Sequence, residues 1–212
     1  MATFTADQVW ACAAAAQRIN GEYLKEDQWR VTGQDTSVLD KKANKHMVKE
    51  WLRTQDFSQV TEADIAAGQS ARNHFKGYTL MALAGQLNDF QRTAMKIASK
   101  DEFTGRDMYD FAVISCLPEV AKRDSARNEL KREIIGSEPV EGQVGDQIIS
   151  DVMIIESRYN QQIGKYRITA RMGESFIDFW FGRSLEGTVR IKGKIKFHRD
   201  NKTTALNYVK IL

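Results

Sequence analysis

Proline, cysteine and histidine are scarce in this 212-residue chain, which has two, two and three of them. Cys12 and Cys116 lie far apart, so the dense disulfide framework of a small secreted domain is excluded. Both sit in apolar helical patterns, where a buried free thiol in a reducing cytoplasm is the expectation. His46, His74 and His198 form no HxxxH or HExxH spacing, and no CxxC occurs, so the usual zinc ligand sets are missing. No stretch is long and apolar enough to span a bilayer, so no membrane is expected. The opening MATFTADQVWACAAAAQR has its first positive side chain at Arg18, which excludes the basic start of a secretory leader; it reads as a first helix. The P-loop, GxSxG and dinucleotide fingerprints are absent too.

Two partial catalytic patterns fail on inspection. His198-Arg199-Asp200 spells a kinase catalytic-loop triplet, but the asparagine required five residues on is Ala205. Glu129 and Lys131, with Asp124 upstream, imitate a nuclease carboxylate–lysine motif, yet they lie in a helical pattern that would not converge them on a metal. Asp107 and Asp110 have the spacing of a shared helix face, which suits a solvated surface. The expectation is therefore a non-enzyme with no cofactor and no metal.

What the chain does have is an uneven charge. Net charge is only +3. Residues 146–212 hold 12 Lys and Arg against 7 Asp and Glu, while residues 1–145 hold 19 against 21. A basic end on a nearly neutral chain points to an anionic partner.

Hydrophobic periodicity divides the chain in the same place. Residues 1–135 carry helical patterns. Thr5 and Gln8 have capping-box spacing, and Gly21 suits the end of a first helix. Residues 25–39 are mixed, with a short strand at Trp29–Val31 and then a loop. In 40–54 a stripe of Ala43, Met47, Val48, Trp51 and Leu52 faces one way and lysines the other. A further helix starts at Thr61 and Asp64, with an interruption near Gly77 or Gly85. Helical segments at 87–99 and 105–116 flank a polar turn at 100–104. A charged amphipathic run over 118–135 reads as a long exposed connecting helix. The segment 136–146, with Gly136, Pro139, Gly142 and Gly145, is the expected linker.

From Gln147 onward the period becomes two. In 164–172, Tyr166, Ile168, Ala170 and Met172 share one face, and Lys165, Arg167, Thr169 and Arg171 the other. In 175–181, Ile177, Phe179 and Phe181 are placed inward, which turns Phe176, Asp178 and Trp180 outward. In 189–198, Val189, Ile191, Gly193, Ile195 and Phe197 go inward, and Arg190, Lys192, Lys194, Lys196 and His198 outward. Gly193 fits a strand bent at a barrel corner. The expected fold class is α+β: a helical domain over 1–135, a linker, and a five-stranded Greek-key barrel of the oligonucleotide/oligosaccharide-binding (OB) type over 147–212. Single strands bind such barrels by base stacking on aromatic faces and by phosphate contacts in a basic groove. The candidate platforms are Phe176 and Trp180. The candidate phosphate partners are Lys165, Arg167 and Arg171, then Lys192 and Lys194, with Arg199 and Lys202 from the loop 198–203. Outward strand lysines also guard edges against aggregation, and Trp180 would equally serve as an anchor for a docked helical domain.

The stretch FWF (179–181), then GTVRIKGKIKFH (187–198), then LNYVKIL (206–212), resembles the C-terminal OB-like module of many phage-encoded proteins. The resemblance covers about a third of the chain. It implies single-stranded DNA binding or a replication-linked role. With sequence-tolerant stacking, the expectation is a binder of single-stranded nucleic acid, DNA before RNA, with little sequence preference, linked to phage replication or recombination. A replication or host protein, or a second copy of the chain, would then meet the helical domain. The rival expectation is a phage module that binds and redirects a host machine, with the barrel as scaffold; a structural virion component is a third.

Overall fold

A computed structural model describes residues 2–32 and 36–212. The chain divides into two compact units, Met1–Ala126 and Arg127–Leu212. The first is helical and the second is a closed β-barrel, so the fold class is α+β.

The helical unit is built around α1 (Ala6–Asn20). Thr5 and Gln8 make the reciprocal capping box that their spacing predicts, and Gly21 closes the helix in a left-handed conformation. Its alanine-rich surface lets a second helix, α3 (Glu62–Lys76), approach closely. At the crossing, Gly68 lies against the α1 backbone: a Cβ there would sit 2.7 Å from the Trp10 carbonyl carbon. Thr61 and Asp64 cap α3 reciprocally. The Arg18 guanidinium at the far end of α1 donates to Asp64, at 2.9 Å to each carboxylate oxygen. Trp10, Phe75, Phe103, Phe111, Leu52 and Ile114 fill the core. Cys12 is fully buried among them, and burial pushes its thiol up to about 12.

Short strands appear where helical periodicity gave no sign of them. The strands β1 (Thr3–Thr5) and β4 (Glu102–Thr104) pair so that Phe4 meets Phe103, and both rings are buried. The expected polar turn at 100–104 therefore carries a core residue. The strands β2 (Gln28–Thr32) and β3 (Thr36–Lys41) form an exposed antiparallel hairpin. The strand expected at Trp29–Val31 is β2. The loop expected after it, up to Leu39, is strand β3 from Thr36 onward, because the two pair as a hairpin; residues 33–35 of that expected loop lie outside the described residues. Asp40 and Lys41 end β3, so the next helix, α2, is Asn44–Thr54. The remaining helices are α4 (Thr79–Leu83), α5 (Asp89–Ala98), α6 (Met108–Ile114) and α7 (Leu117–Gly136). Only Leu117, Pro118 and Ala121 of α7 are buried, and the boundary between the units falls within it.

In the second unit five strands close a barrel in the order β5-β6-β7-β9-β8. They are β5 (Gln147–Asn160), β6 (Lys165–Met172), β7 (Ser175–Phe181), β8 (Thr188–His198) and β9 (Thr204–Ile211). The long β5 closes the cylinder. Its first half pairs with β8 and its second half with β6, with a bulge between Ile154 and Glu156. Val152, Ile168, Ala170, Ile177, Phe179, Ile191, Ile195 and Leu206 fill the interior, as period-two alternation requires. Gly193 is closely packed: a Cβ there would lie 3.1 Å from Val209 Cγ2, which would have to shift.

The segment expected as a linker is instead a strap on the barrel. Val140 is buried in the barrel core, and its N–H donates to Thr204 Oγ1 at 3.1 Å. The Gly145 N–H donates to the Ile195 carbonyl at 2.8 Å. His198 secures the same strap, with Nδ1 2.9 Å from Thr204 Oγ1 and Nε2 3.2 Å from the Gly142 carbonyl. A carbonyl only accepts, so the proton belongs on Nε2 and Nδ1 receives the threonine hydroxyl. The backbone groups of this segment find partners on the barrel, which holds it there despite its glycines.

Candidate nucleic-acid interface

The barrel has one weak seam. The strands β7 and β9 run parallel and pair only at Ile177–Thr204 and Asp178–Ala205. Beyond those pairs they part, and a groove of about 240 Å³ opens between Phe179–Trp180 on one side and Leu206–Val209 on the other. Lys165, Lys196 and Arg199 supply its cationic lining, and Trp180 and Tyr208 its aromatic rings. Trp180 is 41% exposed and Tyr208 79%.

Two irregularities in the β8–β9 ladder shape this groove. Lys192 pairs with Lys210 and Lys194 with Asn207, so Tyr208 and Val209 together oppose Gly193. Tyr208 takes a left-handed conformation at this bulge, with φ of 52°. Bulges re-aim side chains, and this one turns the tyrosine ring out toward solvent. Next, Ile195 pairs with Leu206 and Phe197 with Ala205, which leaves Lys196 as the extra residue. That slip changes the phase of β8. Phe197, expected inward, is only partly buried and lines the groove, with the Arg199 guanidinium 4.9 Å from its ring centre.

Two arginines, Arg199 of the groove and Arg167 beside it, are held in place by a carboxylate that alternation marked only as outward. Asp178 is 3% exposed. Its Oδ2 accepts from Arg167 Nη2 at 2.7 Å and from Arg199 Nη2 at 2.9 Å, and its Oδ1 accepts from Arg199 Nε at 3.2 Å. Two guanidiniums on one carboxylate leave a net positive site whose side chains are partly immobilised before any ligand arrives.

The expected site residues therefore separate into groups. Lys165, Trp180 and Arg199 line the groove, and Arg167 joins them through Asp178. Phe176 is a correction. It does point away from the barrel interior, but it is 2% exposed and its face is taken by the Arg171 guanidinium, 5.0 Å from the ring centre. A ring covered in this way offers no stacking face. Arg171 is itself occupied by an ion pair with Glu133. Lys192 and Lys194 stand on the outer side of β8 and do not line the groove. Lys202, in a left-handed conformation, reaches Glu138 at 3.5 Å. Sequence reasoning missed the role of Asp178 and the exposure of Tyr208; both depend on contacts and a register slip between strands, which no local pattern signals.

Comparison with family models, with curated proteins and with solved structures finds no match to this chain. Among the described residues no helix is long and apolar enough to cross a membrane.

Proposed function

We propose that the barrel binds single-stranded nucleic acid, DNA in preference to RNA, with little dependence on base sequence. The observation that carries this reading is the groove at the β7–β9 seam, where exposed Trp180 and Tyr208 stand beside Lys165, Lys196 and Arg199. Bases stack on any aromatic face, at about 1–3 kcal/mol each, without selecting a sequence. Cations beside the rings meet the phosphates, and counterion release makes that part of the affinity fall with salt. The groove is short, so a few nucleotides cross it and the rest of the strand runs over the β8 face past Lys194. The helical unit then serves protein contacts or self-association, and the resemblance of the strand motifs supports a phage replication or recombination role in the host cytoplasm.

A second reading, in which the chain acts chiefly by binding protein, is favoured by the helical unit's surface. Leu80 and Leu83 on α4 are 78% and 82% exposed, and Trp29 on the hairpin 61%. Fluorescence anisotropy of a labelled oligo-dT, titrated at increasing salt, separates the two. The nucleic-acid reading expects binding at low salt that weakens as salt rises. Absence of binding at low salt would leave the protein-contact reading.

A further inference from the structure

The helical unit contains a cavity that the nucleic-acid reading does not use. It has a volume of about 520 Å³ and lies between α2, the start of β1 and α6. Its floor is apolar, made by Phe4, Leu52, Met108 and Phe111. Along one side of its rim α2 places Lys49 and Arg53 as cations, beside His46 and Glu50, and Lys42 precedes the helix. These positions follow the helical period, so the cations share a face by construction.

The rim carries more positive charge than the fold consumes. Lys42 pairs with Glu50 at 2.5 Å, and His46 Nδ1 lies 2.9 Å from Asp27 Oδ1. Lys49 and Arg53 have no carboxylate partner among the described residues. From Lys49 to Arg53 the unpaired positive edge runs about 6 Å along the helix, at 1.5 Å per residue. A single carboxylate meets only one end of such an edge, whereas two same-face side chains of an extended chain, about 7 Å apart, reach both ends. The floor offers no donors or acceptors to the edges of a nucleobase, and it suits an aliphatic or aromatic side chain.

We infer that this cavity docks an acidic peptide segment of a partner protein. One apolar residue enters the Phe4–Met108–Phe111 floor, and flanking carboxylates meet Lys49 and Arg53. The binding energy then has two separable parts. Apolar burial gives affinity, and the paired charges give orientation and partner choice.

The test uses the full chain labelled with ¹⁵N and the synthetic peptide N-acetyl-Asp-Asp-Asp-Phe-Asp. Amide shifts are followed up to millimolar peptide, where weak docking is still visible. The expected shifts are confined to α2, α6 and the start of β1, with the barrel amides unmoved. Replacing the peptide's Phe by Ser is expected to weaken binding about tenfold or more, from the lost burial of one aromatic side chain. The double variant K49E/R53E, whose changes lie on the accessible rim, is expected to lose the shifts while keeping the rest of its spectrum. Absence of localised shifts would overturn the inference. So would equal binding of the Ser peptide, which means plain charge attraction, or stronger binding at this cavity by an oligonucleotide of equal charge. Because the readout is local to the helical unit, failure here leaves the barrel reading standing, and the converse also holds.

Discussion

At the scale of single residues, the groove depends on Asp178. A nearly buried carboxylate without partners would be costly, and here two guanidiniums, each partly open to water, satisfy it. Asp178→Asn removes the charge and one acceptor while leaving both arginines facing it. We expect a loss of about 1.5–3 kcal/mol, the range for a hydrogen bond to a charged group, read from the urea midpoint. A stability equal to that of the parent would mean the arginines are not organised by this residue. The same strand shows how far residues can be read from pattern. Alternation placed Phe176, Asp178 and Trp180 on one face, and they do share it. Which of them is covered depends on Arg171 from β6 and Arg199 from the loop after β8, so the buried ring and the exposed one looked alike in the sequence.

At the scale of elements, helix starts were legible because their chemistry is local. Thr5–Gln8 and Thr61–Asp64 each complete a capping box within four residues. The second box also holds Arg18. Burial pushes the Asp64 carboxyl up, but the Arg18 guanidinium and the Thr61 backbone N–H and hydroxyl more than offset it, so the group stays below the usual carboxylate range. A pKa lowered by folding contributes stability above the unfolded value, and that stability is lost as pH falls through the folded one. The denaturation midpoint of the helical unit should therefore decline below about pH 4. Asp27, Asp56 and Asp107 are lowered too and add to the decline, and Asp64→Asn should make it shallower. An equally steep decline in the variant would remove Asp64 from this account. Gly68 gives a prediction of opposite sign to propensity. Alanine usually gains about 1 kcal/mol over glycine inside a helix. Here its Cβ would meet the Trp10 backbone, which has no side-chain freedom to yield. Gly68→Ala should cost about 1–3 kcal/mol, as overpacking does, with a lower thermal midpoint as the readout. The three-residue strands β1 and β4 escaped notice because their pairing partners lie almost a hundred residues apart, beyond any local period.

At the scale of the whole molecule, the change of period near Gln147 marked the barrel, and the strand order confirms an OB-like cylinder. The groove itself was not legible. It exists because β7 and β9 pair over only two residue pairs and then separate, and because two register slips in β8–β9 expose Tyr208 and shift Phe197. Both are consequences of barrel closure, which no single strand encodes. They leave the central claim resting on the exposed rings of Trp180 and Tyr208 beside the groove's cations. The direct measurement is oligo-dT anisotropy at low and high salt for the parent chain and for Trp180→Ala, with urea unfolding of both. The account predicts salt-sensitive binding by the parent and a loss of about 1–3 kcal/mol of affinity in the variant, with little change in unfolding midpoint. Equal affinity in the variant, or no binding by the parent at low salt, would contradict it.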